Sequence, residues 1–425
     1  SDKADSVNTL TGSLLLSLDS VAGTLSCLTD ESLTLFSSDG TLSGSYRYEY
    51  PYLRGSSMGG DNYAALLLSR YRSGSTMKLV TVSSDGTEMA SLDSSQEVLS
   101  MSAVDYRRAL HRIPELDNQL PETVQLVQRI LAPLPCRVFS PITGSVCAWF
   151  DAGKSDAVAF RAELGALPVT EATDLPYASV HPGRMHACGH DAHTAMVLTL
   201  AEYAAEHLAE LPRNVLFLFQ PSEETTGGAG KLCESGVLER YRVRRIFGLH
   251  LWFCILAGTI ASRPGPLMAR SNEVTVTVEG RSVHMSRADE GLDALTAGIS
   301  YLQRAYDMME QLPPDQPRVL RFGKMVSGTV RNAISGRTVL EGSLRTYRED
   351  TFRFCRQQLK DIGRSVASEA APCQDVHLSE GYPAVWNHEE LYQKIAAQLG
   401  DNAPTLMEKP VLAAEDFSFY QQYVP

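Results

Sequence analysis

A cysteine- and histidine-rich segment contains the residue types best suited to chemistry in this sequence. Residues 185–194 are MHACGHDAHT, so Cys188 and His190 stand two positions apart, with Gly189 between them to allow a tight turn. A thiolate and an imidazole at this spacing can bind one divalent metal ion, or a pair, of borderline or soft character. A buried cysteine beside surface histidines gives the same pattern, so the segment alone leaves both interpretations open.

Further polar groups follow two apolar strand patterns. The run 215–219 leads into Glu223 and Glu224, and the run 246–252 contains His250. Open sheets bind ligands beyond the carboxyl ends of their strands, where these side chains are expected. Of two carboxylates that diverge on a turn, one can bind a metal while the other faces a metal-activated water as general base. In isolation, Glu-Glu is more often a solvated loop pair, and a lone histidine in such a run is more often core.

Alternating helices and strands must position these residues. Apolar strands at 158–160 and 215–219 alternate with helices at 106–113, 123–131 and 192–211. This βαβ alternation predicts an α/β domain with a mixed sheet and helices on both faces.

A second unit is expected from about residue 272 onward. The order strand, helix, two strands and helix predicts a small α+β sandwich in which one face of the sheet is covered. These segments are 273–278, 292–312, 318–326, 338–346 and 351–370. A further helix is predicted at 389–399, ended by Gly400.

The first hundred residues have a different, Ser- and Thr-rich character. Strand patterns at 32–36 and 78–82 each precede an Asp-Gly turn, at 37–41 and 83–87, and the turns start 46 residues apart. Asp-Gly between strands predicts hairpins, and a period in the forties is typical of propeller blades. Residues 1–100 therefore loosely resemble β-propeller blades, although a chance repeat in a β-rich segment is the other interpretation. Two blades cannot close a propeller.

Composition excludes several classes of function. The net charge of −12 argues against nucleic acid as a partner, and the sequence has no run of 18 apolar residues that would predict a membrane-spanning helix. Eight cysteines without paired spacing fit a reducing compartment, so a cytoplasmic location is expected. At 425 residues, two or three domains are expected. Since the chain begins with Ser1, we expect a removed start or a piece of a longer product.

Six motifs occur together and in the order of one known family. They are RRALHRIPEL at 107–116, ACGHD at 187–191, QPSEE at 220–224, GLHLW at 248–252, EGRSVH at 279–284 and AEDF at 414–417. On these motifs, residues 105–425 resemble peptidase family M20, in the amidohydrolase branch that includes N-acyl-amino-acid, hippurate and auxin-conjugate hydrolases. The resemblance implies a catalytic domain, 101–270 with 373–425, and an inserted lid and dimerisation domain, 271–372.

The resemblance also implies a role for each matching residue in the catalytic domain. Cys188 would bridge two divalent ions of zinc, manganese, cobalt or nickel, and His190, Glu224 and His250 would be further ligands. Glu223 would be the general base that activates water and then protonates the leaving amine.

In the lid, the resemblance implies three residues that act on the substrate. His284 would polarise the scissile carbonyl, often from the partner subunit of a homodimer. Asn332 and Arg345 would lie near the substrate, where a guanidinium can bind a carboxylate through paired hydrogen bonds. A surface arginine at a strand end is the other interpretation of Arg345.

This sequence departs from the family pattern in four places. The family has Asp-x-Asp-Ala-Leu-Pro where this chain has Glu163-Leu164-Gly165-Ala166-Leu167-Pro168, so glycine replaces the second acid. The family's last histidine ligand lies beyond the point where this chain stops at Pro425, residues 253–257 lack a usual proline, and residues 1–100 match no family pattern. Loss of an acid beside metal ligands typically costs about 10–100-fold. We therefore expect a C-terminally truncated domain with weak metal binding and little turnover.

The expected function is metal-dependent hydrolysis of the amide bond of an N-acyl amino acid or a similar small conjugate. One alternative is a small-peptide carboxypeptidase or dipeptidase of the same family. Cys188 favours the first, because peptidases of the family more often have a carboxylate there. A non-catalytic homologue that acts as a binding module is the third possibility, and Gly165 favours it.

Overall fold

The structure is a computed structural model. It describes residues 15–21, 24–57, 63–70, 77–94, 102–256, 258–314, 316–369 and 373–424. These residues form two compact units, one within Ser1–Glu224 and Leu249–Leu251 and the other within Thr225–Gly248 and Trp252–Pro425. The domain boundaries given above, 1–100, 101–270 with 373–425, and 271–372, stay predictions.

The N-terminal part of the first unit consists of eight strands. They are β1 (Leu15–Val21), β2 (Thr24–Thr29), β3 (Ser32–Phe36), β4 (Leu42–Arg47), β5 (Tyr52–Ser57), β6 (Tyr63–Ser69), β7 (Met77–Ser83) and β8 (Glu88–Ser94). They form two antiparallel sheets, β1-β2-β3-β4 and β5-β6-β7-β8. The described residues contain no closed propeller, and the resemblance to propeller blades stays an unsupported prediction.

The two predicted Asp-Gly turns of this region are confirmed and have the same geometry. Ser37 N–H donates to Thr41 O at 2.9 Å, and Ser83 N–H donates to Thr87 O at 2.9 Å. Gly40 has a φ of 83°, a left-handed conformation that glycine adopts without steric cost. The turn sequence therefore explains both hairpins.

The rest of the first unit is an α/β arrangement. Its elements are α1 (Ser102–His111), α2 (Pro121–Leu131), β9 (Arg137–Phe139), β10 (Val146–Phe150), β11 (Ala157–Glu163), α3 (His190–Glu206) and β12 (Asn214–Gln220). These strands lie in the order β11-β12-β10-β9, in which β11 and β12 are parallel and the other pairs antiparallel. The mixed sheet predicted from the sequence is confirmed.

A shared apolar core fixes α3 against this sheet. All seven residues of β12 are buried, as its continuous apolar run predicts, and Phe217 and Phe219 pack in one cluster with Leu198 of α3. Burying a side chain of this size stabilises the fold by about 1.5–3 kcal/mol. The first turn of α3 is thereby held rigidly at the end of β11 and β12.

The second unit contains the remaining elements of the chain. They are α4 (Gly228–Glu234), α5 (Val237–Arg240), β13 (Val243–Gly248), β14 (Ala261–Ser262), β15 (Gly265–Met268), β16 (Arg270–Glu279), α6 (Ala294–Glu310), β17 (Val319–Ser327), β18 (Arg337–Thr346), α7 (Glu349–Glu369), β19 (Cys373–Leu378), β20 (Val385–Asn387), α8 (Glu389–Leu399) and β21 (Thr405–Leu406). Short 3-10 helices occur in this unit at Met285–Glu290, Gly400–Asn402 and Asp416–Gln422, and in the first unit at Leu208–Glu210. Among the described residues, no helix is both long enough and apolar enough to cross a membrane.

An antiparallel sheet with two helices is the main feature of the second unit. Its strands lie in the order β17-β18-β16-β19, and one core cluster joins Val276 of β16 and Leu340 of β18 to Tyr301 of α6 and Phe352 of α7. The predicted order of strand, helix, two strands and helix is confirmed. The fourth strand, β19, was not predicted.

Candidate metal centre

The predicted ligands of the first unit lie together at the N-terminus of α3. Cys188 Sγ lies 3.5 Å from His250 Nε2, and His190 Nε2 lies 3.8 Å from Glu224 Oε1 and 4.0 Å from Glu223 Oε2. Two overlapping groups, Cys188 with His190 and His250, and His190 with Glu223 and Glu224, each have donor atoms within 4.8 Å of one another. The structure therefore brings together all five residues that the sequence suggested here.

The loop geometry explains how Cys188 and His190 reach the same place. Gly189 has a φ of 89°, in the left-handed region that favours glycine, and α3 begins at the next residue. A Cβ at position 189 would also come within 3.1 Å of Leu251 Cδ1. Glycine is thus required by both the turn and the neighbouring chain.

His190 provides the test of whether these residues fit a metal ion. Its Nδ1 lies 2.6 Å from the carbonyl oxygen of Gly165, which can only accept, so Nδ1 carries the proton. Its Nε2 is buried and has no hydrogen-bond partner among the described residues, although it faces the carboxylates of Glu223 and Glu224. A buried lone pair without a donor costs free energy unless a ligand satisfies it. Thiolate, imidazole and carboxylate together suit a divalent ion, so the residues fit one.

Burial also affects the pKa of the Cys188 thiol. Desolvation raises the pKa of the Cys188 thiol, and the negative charge of Glu224 raises it further. The thiolate form therefore requires a nearby positive charge, and binding of a divalent cation would release the thiol proton.

The two glutamates are held in different environments. Ser222 has a φ of 59°, unusual for a residue other than glycine, and its N–H donates to Asp117 O at 3.2 Å. The turn fixed in this way buries Glu223, whereas the side chain of Glu224 is about a quarter exposed, at 28%. The two carboxylates therefore differ in burial, but they do not point to separate places, since each has an oxygen within 4.0 Å of His190 Nε2.

Gly165 occupies the position at which the family has an acid. Its carbonyl oxygen orients His190, so the backbone supplies an acceptor that does not depend on the side chain. An added Cβ would meet nothing closer than 3.9 Å, the distance to Asp117 O and Ser222 N. The space for a larger residue is still present.

Sequence reasoning missed a buried polar network next to the ligands. Glu163 Oε2 lies 2.8 Å from His193 Nδ1, the Arg161 guanidinium pairs with Glu163, and His193 Nε2 accepts from Leu251 N–H at 2.8 Å. Desolvation raises the pKa of Glu163, but the charge of Arg161 and the hydrogen bond from His193 outweigh it and hold the pKa well below its ordinary value. The available signal was His193, three positions after His190 and thus on the same face of α3.

A second buried cluster joins α1 to α3. His111 Nδ1 lies 2.8 Å from Asp191 Oδ2, its Nε2 lies 3.2 Å from Glu171 Oε1, and Arg107 Nε donates to Asp191 Oδ2 at 3.2 Å. The hydrogen bond with Asp191 raises the pKa of His111, although burial opposes the shift. This cluster gives the RRALH motif a structural role.

The remaining predicted site residues belong to the second unit. His284 Nδ1 accepts from Ser286 N–H at 3.2 Å, so in the neutral ring Nε2 carries the proton and can donate to a carbonyl. Met285 N–H donates to Asn332 O at 3.0 Å, which brings the segments of His284 and Asn332 together. Arg345 lies on β18, where its Nη1 donates to Leu412 O at 2.7 Å.

Comparison with known proteins decides the family. The model of Peptidase family M20/M25/M40 matches residues 159–425, more than half of the chain. The chain belongs to this family. An N-acetyldiaminopimelate deacetylase of Lacticaseibacillus paracasei is 33% identical to this M20 chain over 333 residues, which cover 76% of this chain and 86% of the relative.

Two solved structures share the fold of this M20 chain. A putative aminohydrolase from methicillin resistant Staphylococcus aureus has a TM-score of 0.71 and 28% identity, and covers 76% of this chain and 85% of its own. The Bacillus subtilis protein YXEP, a dinuclear metal binding peptidase from the M20 family, has a TM-score of 0.65 and 29% identity, and covers 76% of this chain and 86% of its own.

These comparisons confirm several of the expectations. The resemblance to family M20, the α/β fold class and the enzyme class, a metal-dependent amidohydrolase, are confirmed. The expected cofactor, two divalent ions, agrees with the dinuclear metal binding of YXEP. The site residues, the homodimer and the cytoplasmic location stay predictions.

Proposed function

We propose that this chain hydrolyses the amide bond of N-acyl amino acids or similar small conjugates. The observation that supports this proposal is the convergence of a thiol, two imidazoles and two carboxylates at the start of α3. N-acetyldiaminopimelate deacetylases are among the relatives that are more than 30% identical, so N-acetyl amino acids are the first substrates to test.

Each residue of the cluster has one role in this proposal. Cys188, His190, Glu224 and His250 would hold the two divalent ions. When bound, the ions lower the pKa of a water molecule towards neutrality. Glu223, buried and beside these ligands, removes the water proton and delivers it to the leaving amine.

The residues of the second unit act on the substrate. His284 donates from Nε2 to the scissile carbonyl and thereby stabilises the oxyanion that develops there. Arg345 holds the substrate carboxylate, and Asn332 hydrogen-bonds to the substrate beside it. The requirement for a carboxylate is what distinguishes an acyl amino acid from a simple amide.

Replacement of the general base tests the proposal. Wild-type protein, loaded in turn with zinc, manganese, cobalt or nickel, should release amine from N-acetyl amino acids, at a low rate because glycine stands at position 165 where the resemblance implies an acid. Glu223→Gln should lower kcat about 10²–10⁴-fold, because it keeps the shape of the side chain but cannot accept the proton. Metal content, measured by mass spectrometry, should be unchanged in this variant.

Three results would contradict the proposal in different ways. Turnover of dipeptides with none of N-acetyl amino acids would favour the peptidase alternative, in line with the description of YXEP as a peptidase. Full metal content without turnover of either substrate would favour a binding module. Unchanged kcat in Glu223→Gln would remove Glu223 from its role.

A further inference from the structure

The segment that carries His250 has few apolar contacts to hold it. Leu249 is 55% exposed and Leu251 is 50% exposed. Segments with little buried surface open easily unless specific hydrogen bonds hold them. The position of the His250 imidazole must therefore depend on polar contacts.

A continuous series of hydrogen bonds provides these contacts. His193 Nδ1 donates to Glu163 Oε2 at 2.8 Å, Leu251 N–H donates to His193 Nε2 at 2.8 Å, and His250 Nδ1 donates to Leu251 O at 2.7 Å. At the end of the series, His250 Nε2 lies 3.5 Å from Cys188 Sγ. Leu251 thus links the two histidines through its N–H and its carbonyl.

The chemistry of the acceptors fixes the proton positions along this series. The Leu251 carbonyl can only accept, so His250 carries its proton on Nδ1 and directs the Nε2 lone pair towards Cys188. His193 accepts from a backbone N–H through Nε2, so its ring is neutral and its proton lies on Nδ1, facing Glu163. Arg161 compensates the charge of the buried Glu163 carboxylate.

We propose that His193 is a positioning residue, which docks residues 249–251 onto α3 and so places the His250 imidazole for metal binding. This inference rests on the proposed function, because it takes His250 as a ligand. Partners that orient metal-bound histidines typically change affinity by about 10–100-fold. Here His193 orients His250 indirectly, through hydrogen bonds to the backbone of Leu251.

His193 is also close enough to Glu163 and His190 to form a possible ligand group itself. Both of its ring nitrogens, however, already have hydrogen-bond partners, Glu163 on one side and Leu251 on the other. Binding of a metal through either nitrogen would break one of these bonds. The geometry therefore favours positioning over coordination.

Two conservative variants test separately the two hydrogen bonds of His193, one with Leu251 N–H and one with Glu163. His193→Gln keeps an acceptor near the Nε2 position, whereas His193→Asn keeps a donor near the Nδ1 position. In metal-free protein, hydrogen exchange of the Leu251 amide should be accelerated at least tenfold in His193→Asn and much less in His193→Gln. Affinity for Co²⁺, followed by its thiolate absorption, should fall about 10–100-fold in His193→Asn.

Thr194→Val is the matched control. It removes the bond from Thr194 Oγ1 to Glu163 O, 2.8 Å long and also buried, but does not touch residues 249–251. Its Leu251 exchange and Co²⁺ affinity should equal those of the wild type, even if the melting temperature falls. This control separates positioning from a general loss of stability.

Two results would overturn the inference. Unchanged Leu251 exchange in a folded His193→Asn variant would show that the bond does not hold the segment. Loss of one equivalent of Co²⁺ from both variants, with Leu251 still protected, would make His193 a ligand. The exchange measurement needs neither metal nor substrate, so it stands even if N-acetyl amino acids are not hydrolysed and the proposed function fails.

Discussion

The residue at position 165 can affect His190 in two ways, through its backbone carbonyl and through a side chain where one is present. The Gly165 carbonyl already accepts from His190 Nδ1, while a Cβ at this position would lie 3.9 Å from its nearest neighbours, at an ordinary van der Waals distance. A carboxylate here would add negative charge near the ligands without displacing the backbone acceptor. Glycine at position 165 therefore leaves out a negative charge near His190 but keeps the backbone acceptor that orients its ring.

Gly165→Asp is accordingly expected to fold and to bind metal more tightly. The added acid should raise metal affinity about 10–100-fold, the usual effect of a group beside metal ligands. Competitive titration with a chelator of known affinity measures this change.

Gly165→Ala is the control, since it adds a Cβ but no charge. It should leave metal affinity unchanged and alter stability by about 0.4–1 kcal/mol, through the reduced freedom of the unfolded chain. Equal gains in affinity from Ala and Asp would show that the effect is steric, contrary to this prediction.

At the scale of elements, the polar contact between α1 and α3 should make the stability of the fold depend on pH. His111 is the last residue of α1, and its hydrogen bond with Asp191 raises its pKa. Two carboxylates, those of Asp191 and Glu171, face His111. The ring of His186, whose pKa is lowered to about 4 by burial, also faces it. Arg107 is linked to His111 indirectly, because it donates to the same Asp191 carboxylate. The hydrogen bonds and charges of the two carboxylates outweigh the effect of burial, which explains the direction of the shift.

Because the folded pKa of His111 lies above its unfolded value of about 6.5, protonated His111 stabilises the fold. That contribution is fully present below pH 6.5 and is lost as the pH rises through the folded pKa. Substitution His111→Gln should therefore cost more free energy of unfolding at pH 5.5 than at pH 8.5. Urea unfolding of metal-free protein at both pH values measures the difference.

Leu110→Ala, one position earlier on α1 and equally buried, serves as the comparison. It should cost about 2–5 kcal/mol at both pH values, because only packing is lost. If His111→Gln showed the same cost at both pH values, the pKa of His111 would not differ between the folded and the unfolded protein, and the ion-pair interpretation would be wrong.

Local patterns were sufficient to predict the longer helices but fewer than half of the described strands. The helix at 389–399 is observed at Glu389–Leu399, because an amphipathic run and Gly400 define both ends. α3 begins two residues before its predicted start, since Gly189 in a left-handed conformation caps it directly. β19, Cys373–Leu378, has no clear alternation, and its strand conformation depends on pairing with β16.

At the scale of the whole chain, motif order predicted the candidate ligands but not the buried contacts around them. Cys188 and His250 are 62 residues apart, and family motifs identified both. Glu163 and His193, 30 residues apart, and Leu251 belong to no pattern that distinguishes a buried network from separate surface groups. Such contacts arise from how β11 and α3 pack, which a single sequence does not encode locally.

Convergence of distant segments on one centre couples metal binding to stability. A ligand that binds only the folded state stabilises it by RT ln(1 + [L]/Kd), about 4 kcal/mol at 1,000 times Kd. Chelation should thus lower the melting temperature of the wild type, and Cys188→Ala should reduce this metal-dependent difference, because a proposed metal ligand is lost. Cys254→Ala provides the control, since Cys254 is exposed and outside the ligand set. Calorimetry with and without chelator measures the effect, and an equal response of Cys188→Ala and the wild type would exclude Cys188 as a ligand.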